Sequence, residues 1–97
     1  MAVKYLINGG VNNNYTDNTN WSTTSGGAND TTAPTSSDDV KLDGSSPNCV
    51  INATSVCKSI VCTGYINTLS GSSQLTVSGN VTFVAGMTLT YTGTMIV

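Results

Sequence analysis

From Leu75 onward apolar residues alternate with threonine, as in Leu75-Thr76-Val77, Val81-Thr82-Phe83-Val84 and Met87-Thr88-Leu89-Thr90-Tyr91. Gly, Ser or Asn closes each run, and this period-two pattern predicts half-buried strands joined by tight turns. A less regular version lies upstream. Segments 49–51, 58–62 and 65–69 read as one set of strand positions, 75–77, 81–84 and 87–91 as the next, and 95–97 as the start of a third. The corresponding offsets in residue number are 26 (Cys49 to Leu75), 21 (Cys62 to Phe83), 20 (Leu69 to Leu89) and 20 (Leu75 to Met95). Recurrence near twenty predicts an all-β fold, a parallel β-solenoid of about two coils. The alternative is a small antiparallel β-sandwich. In the solenoid Ile60, Cys62, Leu75, Val77, Val81, Phe83, Met87, Leu89 and Tyr91 would face inward and stack.

Segment 1–39 is organised differently. A short apolar strand, Val3 to Ile7, is expected to stop at Gly9-Gly10. Positions 11–38 are then dominated by Asn, Thr, Ser, Gly and Asp, with Tyr15 and Trp21 as the large apolar side chains. A loop of this length needs an anchor, and Trp21 has the apolar area to supply one. The chain therefore divides into a loop-rich N-terminal cap, 1–39, and stacked coils, 40–97, with Val40 and Leu42 on the inner face of the first strand. Met95-Ile96-Val97 ends the second part as an apolar strand, a template for association. The expectation is that more chain, or another subunit, covers it.

Charge narrows the chemistry. Charged residues make up 8% of the chain, the net charge is -2, and Lys4, Lys41 and Lys58 are scattered, which excludes the basic face of a nucleic-acid binder. No apolar run is long enough to span a membrane. The N-terminal stretch lacks a signal-peptide pattern, and Met1 favours release by lysis over a processed secretory form. Cys49, Cys57 and Cys62 read as buried strand residues, with a disulfide between two of them or a metal site as alternatives. The acids are five aspartates, Asp17, Asp30, Asp38, Asp39 and Asp43. Asp38 and Asp39 would point to opposite faces of an extended chain and read as the solvated start of a strand. They do not make the flanking pair that glycosidic chemistry uses, so no catalytic residue, cofactor or metal is expected and the chain reads as a non-enzyme.

Several stretches carry a family resemblance: Tyr5-Leu6-Ile7-Asn8-Gly9-Gly10, Asn20-Trp21-Ser22, Ser25-Gly26-Gly27-Ala28, Ala33 to Val40, and Cys57-Lys58-Ser59-Ile60 with Cys62-Thr63-Gly64-Tyr65. Together they resemble the N-terminal β-helical regions of tailed-phage tail fibres and other virion surface proteins with autotransporter-like repeats. The resemblance implies a right-handed β-helix, a structural role in virion assembly and attachment, and location in the virion or, alternatively, on a bacterial surface. Partners would be further copies of the chain, other virion proteins and a host surface glycan. Candidate interaction residues are Trp21 and Tyr15, as sugar-stacking rings in the alternative of a carbohydrate-binding module, and Met95, Ile96 and Val97 at the apolar end.

Overall fold

The computed structural model describes residues 2–7 and 12–97. The Gly9-Gly10 stop expected after the first strand lies outside the described residues, as do Met1, Asn8 and Val11. In chain order the strands are β1 (Val3–Leu6), β2 (Trp21–Ser22), β3 (Asp39–Lys41), β4 (Cys49–Ile51), β5 (Ser55–Cys57), β6 (Ser59–Val61), β7 (Thr68–Gly71), β8 (Leu75–Val77), β9 (Val81–Thr82), β10 (Thr88–Leu89) and β11 (Met95–Ile96). A single 3-10 turn, Asn18–Asn20, leads into β2. The fold is all-β.

The strands form three sheets, ordered β2-β1-β3-β6-β9, β10-β7-β4 and β11-β8-β5. Only β1 and β2 pair antiparallel; every other ladder between these strands is parallel. Parallel neighbours cannot be joined by a hairpin, so the chain visits each sheet once before returning to it. The return distance is nearly constant. Asp39 pairs with Ser59, Cys49 with Leu69, Ser55 with Leu75, Thr68 with Thr88 and Leu75 with Met95, a uniform step of 20 in residue number, and Ile60 pairs with Val81 at a step of 21. From β3 onward the strands thus fall into three successive triplets, β3-β4-β5, β6-β7-β8 and β9-β10-β11, where the hydrophobic pattern indicates about two.

One pairing differs from expectation. Cys49 does not align with Leu75, because the partner of Leu75 is Ser55 in β5, a strand that the hydrophobic pattern does not reveal. In β5 the buried positions are Ser55 and Cys57, whereas Val56 faces outward. Its apolar residue is thus on the wrong face for a reader counting hydrophobes.

Alternate residues of the triplets fill the space between the sheets. Val40, Cys49, Ile51, Cys57, Ile60, Cys62, Tyr65, Leu69, Leu75 and Val77 are at most 1% exposed and form one cluster with Leu6, Tyr15 and Trp21. Of the residues expected to stack inward, Val81, Met87 and Tyr91 are only partly buried, and Phe83 and Leu89 are 37% and 49% exposed. The register is as expected, since Leu89 sits on the buried Leu69. These side chains are open because they belong to the outermost triplet of the described residues.

Close stacking sets one strict backbone requirement. Gly71 has φ of 115°, and a Cβ there would lie 2.5 Å from the Ile51 carbonyl oxygen and 2.7 Å from the Ile51 nitrogen. A side chain must both adopt a left-handed backbone and push β4 and β7 apart. Gly71→Ala is expected to lose about 2–3 kcal/mol in urea unfolding. Gly44→Ala, whose Cβ would come no closer than 3.5 Å to its nearest neighbour, should stay near neutral. Equal midpoints for the two variants would refute this account of the stacking.

Candidate functional site at the open end of the sheets

The two ends of the stack are built differently. At one end the segment 12–38 folds across the first triplet. Asn14 makes a parallel bridge to Val50, with Tyr15 N donating to Val50 O at 2.8 Å and Val50 N to Asn13 O at 2.9 Å, so the outer edge of β4 is paired. The Tyr15 hydroxyl donates to Val56 O at 2.8 Å and covers β5, and β1 lies against β3. Trp21 closes the group: its ring meets Tyr15 edge-on at 5.1 Å, and its indole N–H donates to Tyr15 O at 2.8 Å. Asn29 holds the loop outside it by donating to Asn18 O and Trp21 O.

Trp21 and Tyr15 are 0% and 1% exposed. Neither offers a ring face to solvent, which corrects their candidacy as sugar-stacking residues. Their apolar area is taken up in pinning the loop, the other role that the sequence suggested.

The same end holds the charges that the sequence left scattered. Lys4 is 5% exposed, on the inward row of β1 beside Val40. Its ammonium lies 3.1 Å from an Asp38 carboxylate oxygen and donates to Thr32 O and Thr32 Oγ1 at 3.0 and 3.1 Å. Asp38 is therefore no solvated start of a strand, being 6% exposed and bonded also by Thr35 N, Thr35 Oγ1 and Ala2 N. Burial pushes its carboxyl upward, but the Thr35 amide and Lys4 outweigh that and hold it below the usual range. Asp39 points the other way and accepts from Ser59 Oγ at 2.6 Å. Asp17 caps the 3-10 turn, Asp30 accepts from Thr23 and Asp43 from Ser25, so the aspartates tie loops together.

Nucleophiles are muted. The three cysteines are free and buried; burial pushes Cys57 and Cys62 up to about 11 and Cys49 higher still. As thiols they fill space rather than react. Among the described residues no three metal-ligating side chains gather. Two shallow concavities of about 410 and 400 Å³ flank Lys41 on the outer face of the five-stranded sheet, one beside Asp39 and Ser59, the other beside Tyr5 and Asp43. Both are open hollows between strand side chains.

At the opposite end no strand or loop among the described residues lies over the last triplet. β9, β10 and β11 are each the outermost strand of their sheet, and all three lie in the last triplet. Thr88 N and Thr90 N bond back to Asn67 O and Leu69 O, so by strand alternation the Leu89 N–H points away from the stack. Around these edges lie Phe83, Leu89, Ile96 at 46% exposure and Val97 at 74%, with Met95 half-buried against the core. Of the candidate residues, Met95 lies over the buried Leu75, while Ile96 follows the outward row of Thr76 and Val56. Phe83 and Leu89 were legible as inward positions but not as exposed ones. Compared with protein-family models, curated proteins and solved structures, the chain matches none.

Proposed function

We propose that this chain is a structural, non-enzymatic segment of a tailed-phage tail fibre or other virion surface appendage, built as a right-handed parallel β-solenoid. Its role is to be stacked upon, in assembly with itself or with other virion proteins. The single observation that carries the reading is the parallel register, in which the chain returns to each sheet at a step of 20 or 21 in residue number and lays down three successive triplets. One end of this stack is covered by a loop that bonds to the outer strands of the first triplet. Native folds blunt strand edges by keeping them short or by charge, proline or cover. No charged residue and no proline follows Lys58, and β9, β10 and β11 are two residues each, so shortness is the device these edges use. The constant return of the chain to each sheet supports the solenoid, and the sequence resemblance supplies the virion setting.

Immunogold electron microscopy of purified virions with antibody against this chain tests the proposal. Label on tail fibres or appendages is the expected result. Recovery of the chain solely from host cytoplasm, with bare virions, would refute it.

A further inference from the structure

Groups that titrate in acid are confined to one part of the molecule. The chain has no histidine and no glutamate, and its five aspartates all lie between Asp17 and Asp43. Four of them stitch the segment 12–38 that covers the first triplet. Asp17 accepts from Asn12 Nδ2 at 2.8 Å and Thr19 N at 2.9 Å, which closes the 3-10 turn. Asp30 accepts from Thr23 N and Thr23 Oγ1 at 2.8 and 2.7 Å and closes the next loop. Asp43 accepts from Ser25 Oγ and ties that loop to the chain just after β3. Asp38 holds the Thr35 turn and pairs with Lys4. Asp39 alone turns away, to Ser59 on the outer face. Strands β6 to β11 contain no acid and are held by backbone ladders. Burial pushes the Cys62 thiol and the Tyr65 and Tyr91 phenols between them upward, away from the acid range.

We propose that segment 12–38 is an acid-released cover, which lifts from the first triplet as pH falls while the triplets beneath it stay stacked. The ion pair is the trigger. Protonation of Asp38 leaves the buried Lys4 ammonium with the Thr32 and Ala33 oxygens but no counter-charge. The charged and titratable groups around Asp38 are Lys4 from β1, Tyr15 from the cover, Asp39 beside it and Lys58, whose amide donates to Asp38 O at 2.7 Å. Burial pushes the Tyr15 phenol upward, so it stays neutral, and Asp39 is itself neutralised in acid. Hydrogen bonds from Thr19 and Thr23 hold Asp17 and Asp30 low, as the Thr35 amide and Lys4 hold Asp38. Their contributions are complete above the unfolded value of about 3.9 and vanish as pH falls through the folded values. Trp21 and Tyr15 anchor the cover by apolar burial, which pH does not change; the stitches between those anchors are what acid removes. Lifting the cover bares the outer edge of β4, where Val50 N and Val50 O are otherwise paired with Asn13 O and Tyr15 N. Such an opening is a local one, below global unfolding.

Trp21 is the sole tryptophan and sits in the cover, so its emission reports the cover, whereas far-UV circular dichroism reports mainly the ladders of the stack. In an acid titration of the full chain the emission should shift to the red at a higher pH than the circular dichroism changes. Hydrogen exchange resolves the same order by residue. Corrected for the intrinsic rate, protection of the Tyr15 and Val50 amides should fall at least about tenfold between about pH 6 and pH 3, and that of Leu75 and Thr88, which bond between later triplets, less than about threefold. Asp38→Asn leaves Lys4 without its anion at neutral pH and should lower Tyr15 and Val50 protection there without acid. Asp39→Asn, which is outside the cover, should not. Coincident transitions of emission and circular dichroism, or loss of Leu75 and Thr88 protection ahead of Tyr15 and Val50, would overturn the proposal in favour of global acid unfolding. Undiminished Tyr15 and Val50 protection in wild type down to about pH 2, where the carboxylates are protonated, would overturn it as well, whether or not the Asp38→Asn variant folds.

Discussion

Trp21→Ala is expected to lose about 3–5 kcal/mol. Three losses coincide at that position. The indole is fully buried, so its removal leaves a void beneath the first triplet. Its N–H is the donor to Tyr15 O, and a buried carbonyl would be left without it. Tyr15 also loses the ring that fixes its edge-on packing, and with it the aim of the hydroxyl bonding Val56 O. A small domain has on the order of 5–15 kcal/mol in total, so the variant should lose a large fraction of its stability. Urea titration followed by circular dichroism measures the loss. Trp21→Phe should keep most of the packing but not the hydrogen bond and fall between. A loss below about 1 kcal/mol for Trp21→Ala would mean that the loop is not held by this residue.

The second large effect is at the ion pair. Lys4→Met leaves Asp38 with its hydrogen bonds from Thr35 and Ala2 but without its cation, and is expected to lose about 1–3 kcal/mol near neutral pH. The double variant Lys4→Met, Asp38→Asn removes both charges and should regain a substantial part of that loss. The pH dependence has a defined sign. Asp38 is held below its usual range in the fold, so its contribution is present above the unfolded carboxyl value of about 3.9 and disappears as pH falls through the folded value. Asp17 and Asp30, also lowered by hydrogen bonds from Thr19 and Thr23, act in the same window. Stability of the wild type should thus decline below about pH 4, and more gently in the double variant. Identical acid slopes for the two proteins would assign the decline to other groups.

What the sequence conveys follows from which way side chains point. β4, β8, β9 and β10 were legible because their apolar residues face inward in alternation with Thr, Ser or Val. β5 was not, since Ser55 and Cys57 face the core and Val56 does not, and missing it lengthened the offset read from Cys49. That longer offset has its own counterpart in the structure. Tyr65 donates to Pro47 O and Thr68 O, Tyr91 to Ser73 O and Thr94 O, so two tyrosines with the same separation as Cys49 and Leu75 repeat one pattern of bonds, at the corner between β6 and β7 and at that between β10 and β11. Trp21 was legible as an anchor because so large an apolar side chain in a polar stretch must be covered. The Lys4 pair was illegible, as Lys4 and Asp38 stand at opposite ends of the N-terminal segment and meet only when β1 joins β3. At the open end the sequence marked the strand at Met95 to Val97 but not Phe83 and Leu89, whose exposure depends on position in the stack rather than on local pattern.

The constant register has a mechanical consequence. The chain between one strand and its partner in the next triplet would extend to about 70 Å, yet occupies one strand spacing of about 4.8 Å along the stack. Tension applied at Val97 would peel one triplet at a time, because the outermost triplet is bonded only to the one before it. The chain would lengthen in equal strokes, and the covered end, with its indole and its ion pair, would be the last to give way.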